Sequence, residues 1–158
     1  MEGIRIQQIY PANLDINKGA TYEWCKGQET RQLTLCYRKA GVISGNHFHT
    51  GKDVSKNPER VLLISGKINL ITYDGEETIE QIVEKEASEI TIEPNILHSY
   101  ISLNDSIFIE QRLSIFDPED TDAFPADRFQ PHLQGLNQKV NLEALQTYLK
   151  LMDHYNNT

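Results

Sequence analysis

The chain has 158 residues, enough for one domain with a hydrophobic core and little else. Hydrophobic residues make up 39% and charged residues 24%, ordinary globular values that disfavour a disordered chain. With a net charge of -8 at pH 7, the chain lacks the cationic surface that nucleic acid or an anionic membrane attracts, so we expect neither as a partner.

The first residues and the cysteines indicate the compartment. Residues 1–5 do not begin a charged-then-apolar leader, and no apolar run reaches the length of a membrane span. Cys25 and Cys36 show no metal-type spacing and fit reduced thiols better than a disulfide scaffold. We therefore expect a cytoplasmic protein.

Short strands dominate the first three-quarters of the chain. Turn signals separate short alternating or apolar runs at 33–37, 61–64, 68–73, 89–92 and 106–115. Many short strands at this spacing indicate a β-sandwich or barrel. Asp74-Gly75 lies just after one of these runs and predicts a hairpin turn, because both positions tolerate positive φ.

The last part of the chain has a different pattern. Asp, Pro and Gln are frequent after Phe116, which predicts an extended segment around the barrel. Asn141 can cap a helix in which apolar residues recur at helical spacing up to Met152. We expect this helix to pack over the barrel or across a dimer contact. The predicted organisation is one all-β domain over 1–158, with a barrel core at about 31–116, an extended wrap at 117–140 and a C-terminal α-helix at about 141–153.

Four residues form a candidate site. Successive side chains of a strand alternate between its faces, so His47 and His49 point the same way and can share one ligand. Glu59 stands on a later run, a short distance before Gly66, and His98 stands on a third run. Two imidazoles, a carboxylate and a further imidazole could surround a divalent cation or form a proton-transfer site.

This ordered set resembles the two motifs of the cupin superfamily. The matching positions are Gly41 or Gly45, His47, His49, Glu59 and Gly66 in the first motif, and Pro94, His98 and Asn104 in the second. The resemblance covers about residues 41–116. It implies a double-stranded β-helix, the jelly-roll barrel of the cupins.

One departure from the cupin pattern lies between the second histidine and the glutamate. Nine residues, 50–58, stand where the family has a much shorter gap, and we expect them to form a loop at the barrel mouth. The distance to Gly66 favours Glu59 as the site carboxylate, but Asp53 is a competitor because it lies nearer the family's distance from the second histidine. Lys52 and Lys56 could meet an anionic ligand there, unless the loop is a tolerated surface insertion.

Three segments, 45–49, 62–66 and 115–122, look like the cupin domains of capsular-polysaccharide and sugar-nucleotide enzymes, relatives of the dTDP-4-keto-sugar epimerases and 3,4-ketoisomerases. This resemblance implies an isomerase or epimerase of polysaccharide biosynthesis that takes a sugar or sugar-nucleotide ligand. Two alternatives stay open, a non-catalytic sugar-binding or regulatory cupin and a small metal-dependent dioxygenase.

The site residues admit two chemical roles and one structural role. In the metal hypothesis His47, His49, Glu59 and His98 hold Zn²⁺, Ni²⁺, Mn²⁺ or Fe²⁺. In the metal-free hypothesis, which resembles the keto-sugar isomerases, His47 or His49 removes a proton next to a carbonyl. Tyr100 shares a strand face with His98 and is either a neutral proton donor or an aromatic core residue. In the structural role, the histidines only fill a polar core.

A second apolar face predicts a homodimer. If Glu59 faces inward, strand alternation turns Val61 and Leu63 inward and sends Leu62 and Ile64 to the other face. That outer face needs a cover, which could be an N-terminal strand at 4–10, the C-terminal helix or a second subunit. We expect the second subunit.

Overall fold

The computed structural model describes residues 2–125, and this part of the chain is built of short strands. In chain order they are β1 (Ile4–Gln8), β2 (Asn13–Asp15), β3 (Gly19–Thr21), β4 (Gln32–Arg38), β5 (Ile43–Phe48), β6 (Glu59–Ser65), β7 (Ile68–Tyr73), β8 (Thr78–Val83), β9 (Ser88–Ile92), β10 (Leu97–Ser102), β11 (Ser106–Arg112) and β12 (Phe124–Pro125). Within residues 2–125 no helix has the length and apolar character of a membrane span.

Two five-stranded sheets form the body of the fold. The first sheet has the order β1-β9-β6-β11-β4 and the second has the order β12-β5-β10-β7-β8, while β2 and β3 make a separate hairpin. All strand pairs are antiparallel. The chain moves repeatedly from one sheet to the other, as in a jelly roll. The predicted all-β double-stranded β-helix is therefore confirmed.

The hydrophobic core lies between the inner faces of the two sheets. Its most buried members, each at most 1% exposed, are Leu63, Ile68, Leu70, Ile90 and Ile92. In β6 the predicted alternation holds, because Val61 and Leu63 belong to this core and Glu59 is buried at the start of the same strand. The apolar core thus gives way to a polar cavity at one end of β6.

The hairpin predicted at Asp74-Gly75 joins β7 to β8. Its closing pair is Tyr73 and Thr78, so four residues lie in the loop. Only Gly75 has a positive φ, +105°. The carboxylate of Asp74 accepts hydrogen bonds from the backbone N–H groups of Glu76 and Glu77, at 2.9 and 2.8 Å. This aspartate stabilises the turn through its side chain rather than through a left-handed backbone.

The N-terminal strand does not cover the outer face of the first sheet. Instead, β1 extends the sheet by pairing with β9, and Ile4 and Ile6 pack against the core. Part of the outer face is covered by the segment before β4. There Trp24 Nε1 donates to Glu89 Oε1 at 3.1 Å, and Arg60 Nη1 donates to Gln28 Oε1 at 2.6 Å.

An apolar stretch of the outer face stays exposed along β4, which is an edge strand of the first sheet. Leu33, Leu35 and Tyr37 are 59%, 51% and 67% exposed, whereas Cys36 between them packs against the core. We call these three side chains the β4 patch. The predicted helix at 141–153, and the part of the predicted wrap beyond residue 125, lie outside the described residues.

Candidate metal and catalytic site

The four residues of the predicted site come together inside the barrel. His47 lies on β5, His49 just after it, Glu59 at the start of β6 and His98 on β10. One potential ligand atom from each residue lies within 4.8 Å of those of the other three. The ring centroids of His47 and His49 are 4.5 Å apart, and that of His98 is 4.9 and 5.3 Å from them.

An irregularity in β5 aims the histidines at this point. His98 pairs with His47, but Ser99 pairs with Gly45, so Asn46 is an extra residue in β5 and has a φ of +59°. Gly45 has a φ of +80°, and a Cβ there would lie 3.0 Å from the carbonyl oxygen of His98. A glycine at this position leaves room for the close passage of β10.

In their neutral forms, His49 and His98 turn a nitrogen lone pair toward Glu59. Nδ1 of His49 contacts the carbonyl oxygen of Asp122, and Nδ1 of His98 lies 3.0 Å from that of Ile96. A carbonyl oxygen can only accept, so in the neutral imidazoles Nδ1 carries the proton and Nε2 carries a lone pair. Orienting the non-ligating nitrogen in this way is typical of metal-binding histidines.

Three buried atoms of the cluster have no hydrogen-bond partner among residues 2–125. Nε2 of His98 lies 3.0 Å from Glu59 Oε2, and Nε2 of His49 lies 3.5 Å from Glu59 Oε1. Both nitrogens and Oε2 lack a hydrogen-bond partner in the described part of the chain. Lone pairs that face one another in a buried site need a shared cation or proton, so the residues fit a divalent metal ion.

The electrostatics keep His47 neutral and Glu59 ionised. Burial, together with the imidazoles of His98 and His49, lowers the pKa of His47 to about 3. Burial alone would raise the pKa of Glu59, but His98 and the ammonium of Lys56 hold it well below its ordinary value. A neutral imidazole and a carboxylate are the protonation states that a metal ion requires.

Lys56 does not lie where the sequence suggested. The residue is 7% exposed, and Nζ donates to Glu59 Oε1 at 2.6 Å and also to Glu110. Of the two alternatives for this loop, a contact between Lys56 and an anionic ligand is therefore wrong. The polar composition of the loop indicated exposure, but a partner on β11 draws this ammonium inward. Lys52, in contrast, is exposed and pairs with Asp120 at 2.5 Å.

Asp53 lies outside the cluster. Its Oδ2 is 2.5 Å from Arg112 Nη2, and its Oδ1 accepts hydrogen bonds from the Ser55 N–H and the Ser114 hydroxyl, both at 2.8 Å. The structure thus brings Glu59, and not Asp53, together with the three histidines. The spacing of Glu59 from the glycine after β6 thus predicted which carboxylate lies with the histidines across the insertion.

Asp122 contributes to the site and was missed by the sequence analysis. Its carboxylate accepts hydrogen bonds from the Thr50 N–H and hydroxyl at 3.0 and 2.7 Å, and from the Asp53 N–H at 3.1 Å. Its carbonyl oxygen accepts from His49. One residue thereby anchors the inserted loop and orients an imidazole. The sequence did carry a signal for this role. Asp122 belongs to the acidic run after residue 116, and a barrel core does not require such a run.

Tyr100 lies beside the cluster, as its strand position predicted. Its ring centroid is 5.7 Å from that of His98 and 6.0 Å from that of Phe108. The side chain is 4% exposed, and its hydroxyl has no hydrogen-bond partner among the described residues. Burial, and then Glu59 and Glu110, raises the pKa of Tyr100 well above its ordinary value. The phenol stays protonated and can donate a hydrogen bond or a proton.

An open groove of about 720 Å³ leads to the cluster, and His47 is the cluster member that lines it. The groove runs between the end of β4 and β5, and its wall includes Arg38 and Lys39. Arg38 Nε donates to Ser44 Oγ at 2.8 Å, whereas Lys39 is exposed and lies 3.4 Å from Asp105. A ligand in this groove would meet two cationic side chains and the imidazole of His47.

Comparison with solved structures identifies the fold. A 3,4-ketoisomerase from Helicobacter canadensis is 14% identical, with 85% of this chain and 97% of that chain covered and a TM-score of 0.64. A variant of QdtA, a 3,4-ketoisomerase from Thermoanaerobacterium thermosaccharolyticum in complex with TDP-4-keto-6-deoxyglucose, is 8% identical over 89% of this chain and 99% of that chain, with a TM-score of 0.64. At these identities the likeness establishes the fold.

A third similar structure is the capsular polysaccharide assembling protein CapF from Staphylococcus aureus. It is 26% identical over 75% of this chain and 32% of that chain, with a TM-score of 0.52. No protein-family model and no curated protein matches the chain. The protein thus has the cupin jelly-roll fold, and its structural neighbours are sugar-nucleotide ketoisomerases and epimerases together with CapF.

Proposed function

We propose that the protein is a sugar-nucleotide isomerase or epimerase of polysaccharide biosynthesis, with a metal-competent site formed by His47, His49, Glu59 and His98. The observation that carries the proposal is the buried cluster at the inner end of an open groove, with three of its acceptor atoms unpaired among the described residues. The proposal is also supported by the cupin neighbours, one of which holds a keto-sugar nucleotide.

The cluster favours a ligand role for His47 over that of a free general base. A base is most effective when its pKa lies near the working pH, and the pKa of His47 is about 3. The same neutral imidazole suits metal coordination. A bound divalent ion would polarise a substrate carbonyl and acidify the adjacent C–H bond. In the metal-free alternative, His47 or His49 accepts that proton directly.

Tyr100 supplies the neutral donor in either case. Its high pKa keeps the phenol protonated at neutral pH, so it can donate a hydrogen bond to an oxygen that gains negative charge. Its place beside His98 puts this donor at the same end of the cavity. We assign Tyr100, with His47 and His49, to the catalytic group of the proposed reaction.

The proposed ligand class follows from the wall of the groove. Lys39 is exposed and Arg38 lies partly buried at the same wall, so two cations stand in an otherwise acidic protein. A diphosphate would bind such cations, and the sugar would extend inward to His47. The proposed partner is therefore a sugar nucleotide.

Two measurements test this function. Protein purified without a histidine tag should contain stoichiometric metal by elemental mass spectrometry, and Glu59→Gln and His98→Asn should lose it. With TDP-4-keto-6-deoxyglucose in D₂O, the wild type should place deuterium on the carbon next to the carbonyl, and Tyr100→Phe should slow this exchange at least tenfold. A wild type with no metal would remove the metal hypothesis, and one with no exchange on a panel of keto-sugar nucleotides would remove the isomerase.

The second candidate is a non-catalytic sugar-binding cupin, which the poor basicity of His47 favours. The same experiment separates it from an enzyme. Calorimetric binding of a sugar nucleotide without any deuterium exchange would support the binding function.

We also propose that the protein is a cytoplasmic homodimer. Both cysteines are free thiols, as a reducing compartment requires. Among residues 2–125 the β4 patch lies on an edge strand, and a second copy could cover its apolar side chains and pair with the backbone edge that no described strand occupies.

A further inference from the structure

The ammonium of Lys56 lies in direct contact with the carboxylate of Glu59, which the proposed metal site needs as a ligand. The side chain of Lys56 is 9% exposed and that of Glu59 is 5% exposed. Nζ lies 2.6 Å from Glu59 Oε1 and also contacts Glu110 on β11. This contact is buried, so solvent screens it little.

The two oxygens of Glu59 have different partners. Oε1 accepts from Lys56, whereas Oε2 lies 3.0 Å from Nε2 of His98 and has no hydrogen-bond partner among residues 2–125. The carboxylate therefore offers one oxygen to a fixed cation and keeps the other for the space among the histidines. An ammonium on Oε1 draws electron density from the carboxylate and repels any further cation that approaches Oε2.

Glu59 has a counter-charge before any ion is bound, because the ammonium of Lys56 lies against it. Arg112 is shared by two other carboxylates, with Nη1 3.1 Å from Glu110 and Nη2 2.5 Å from Asp53. A site built only for tight capture of a divalent cation would leave its carboxylate uncompensated. Here the carboxylate has a built-in counter-ion.

We propose that Lys56 sets the metal affinity of this site by acting as a permanent counter-cation on Glu59, so that a divalent ion is held weakly and exchanges readily. The inference rests on the metal site of the proposed function. It assigns Lys56 as an affinity-determining residue and not as a ligand.

The experiment compares Zn²⁺ affinity in metal-stripped, tag-free protein, by competition with a chromophoric chelator at one fixed pH. Lys56→Gln should bind Zn²⁺ at least tenfold more tightly than the wild type. Lys52→Gln is the matched control, because Lys52 lies in the same loop but is 68% exposed and pairs with Asp120, and its affinity should stay within twofold.

Lys56→Gln leaves the carboxylates of Glu59 and Glu110 close together without their shared ammonium, which could prevent folding. A second pair of variants therefore repeats the comparison without the Glu110 carboxylate. Glu110→Gln and the double variant Lys56→Gln/Glu110→Gln should again differ by tenfold or more, the double variant binding more tightly. Equal or weaker binding after loss of Lys56 in each folded background would overturn the inference while leaving the metal site intact. Binding only in variants without Lys56 would support the inference and overturn metal use by the wild type, and binding in none of them would remove both.

Discussion

Replacing Asp53 by asparagine tests the polar anchor of the inserted loop without touching the histidine cluster. The side chain of Asp53 is 16% exposed and that of Arg112 is 6% exposed, and their contact is 2.5 Å long. In Asp53→Asn the remaining carbonyl oxygen can still accept from Ser55 and Ser114, but an amide N–H₂ replaces the oxygen that faces Arg112. The perturbation therefore removes one charge-assisted hydrogen bond from a largely buried guanidinium.

A hydrogen bond to a charged group contributes about 1.5–3 kcal/mol, and stranding a buried ion costs about 3–5 kcal/mol. Arg112 keeps a second partner, Glu110 at 3.1 Å, so we expect a loss of about 2 kcal/mol in the free energy of unfolding at pH 7. With a urea m-value of about 2 kcal/mol/M, the unfolding midpoint should fall by roughly 1 M. Asp120→Asn, on an exposed ion pair, should change stability by less than about 0.5 kcal/mol.

The stability difference should depend on pH. Burial alone would raise the pKa of Asp53, but the hydrogen bonds of Ser55 and Ser114 and the charge of Arg112 outweigh it, and the pKa lies below 3.8. A carboxyl with a depressed folded-state pKa stabilises the protein above its unfolded pKa, and this stability is lost as pH falls through the folded pKa. The wild type and Asp53→Asn should therefore differ fully at pH 6–7; the difference should begin to shrink below about pH 4 and be lost as pH falls through the lower, folded-state pKa.

Urea titrations followed by tryptophan fluorescence at several pH values measure both effects, and metal content gives a second readout. A difference under about 0.5 kcal/mol at pH 7, or one of equal size at pH 3, would refute the electrostatic anchor. Loss of bound metal in folded Asp53→Asn would show that this carboxylate, and not Glu59 alone, serves the cluster.

Two further predictions concern the fold and its assembly. Gly66→Ala should destabilise the protein by about 2–4 kcal/mol in urea titrations, because its Cβ would lie 2.6 Å from that of Ser106 at a φ of +102°. Gly75→Ala has a similar φ but open space and should cost only about 1–2 kcal/mol, so equal losses would contradict the packing argument. Leu35→Glu in the β4 patch should convert a dimer into a monomer by light scattering, whereas Leu14→Glu on the exposed β2–β3 hairpin should not; a monomeric wild type would exclude the dimer.

Local patterns were enough to predict the strands and the faces on which their side chains lie. Period-two alternation placed Val61 and Leu63 inside and put His98 and Tyr100 on one strand face, and the structure has them so. These predictions succeeded because strand alternation is a property of the backbone alone. The cluster needed more, since its members lie on three strands, and only the order of the motifs linked them.

Contacts between distant segments were not predictable from the same patterns. The sequence marked Lys56 as a loop residue in a polar stretch, and nothing near it indicates the pairing with Glu110, 54 residues later. Asp122 is a similar case, because its hydrogen bonds reach back to Thr50 across 72 residues. Such polar contacts depend on tertiary placement, and composition describes only the average exposure of a residue type.

The insertion before Glu59 shows why the cluster tolerates a loop of unusual length. A slip of one residue in β6 would turn Glu59 out of the cavity, yet the register of β6 is set by its pairing with β9 and β11 and not by the loop that precedes it. The loop itself is held by hydrogen bonds to the segment after β11, where the N–H groups of Leu113 and Ser114 donate to the Ser55 hydroxyl at 2.9 and 3.0 Å. Extra residues can therefore be accommodated at the barrel mouth. One of them, Lys56, turns inward, and we expect its positive charge on Glu59 to govern the affinity of the site for a metal ion.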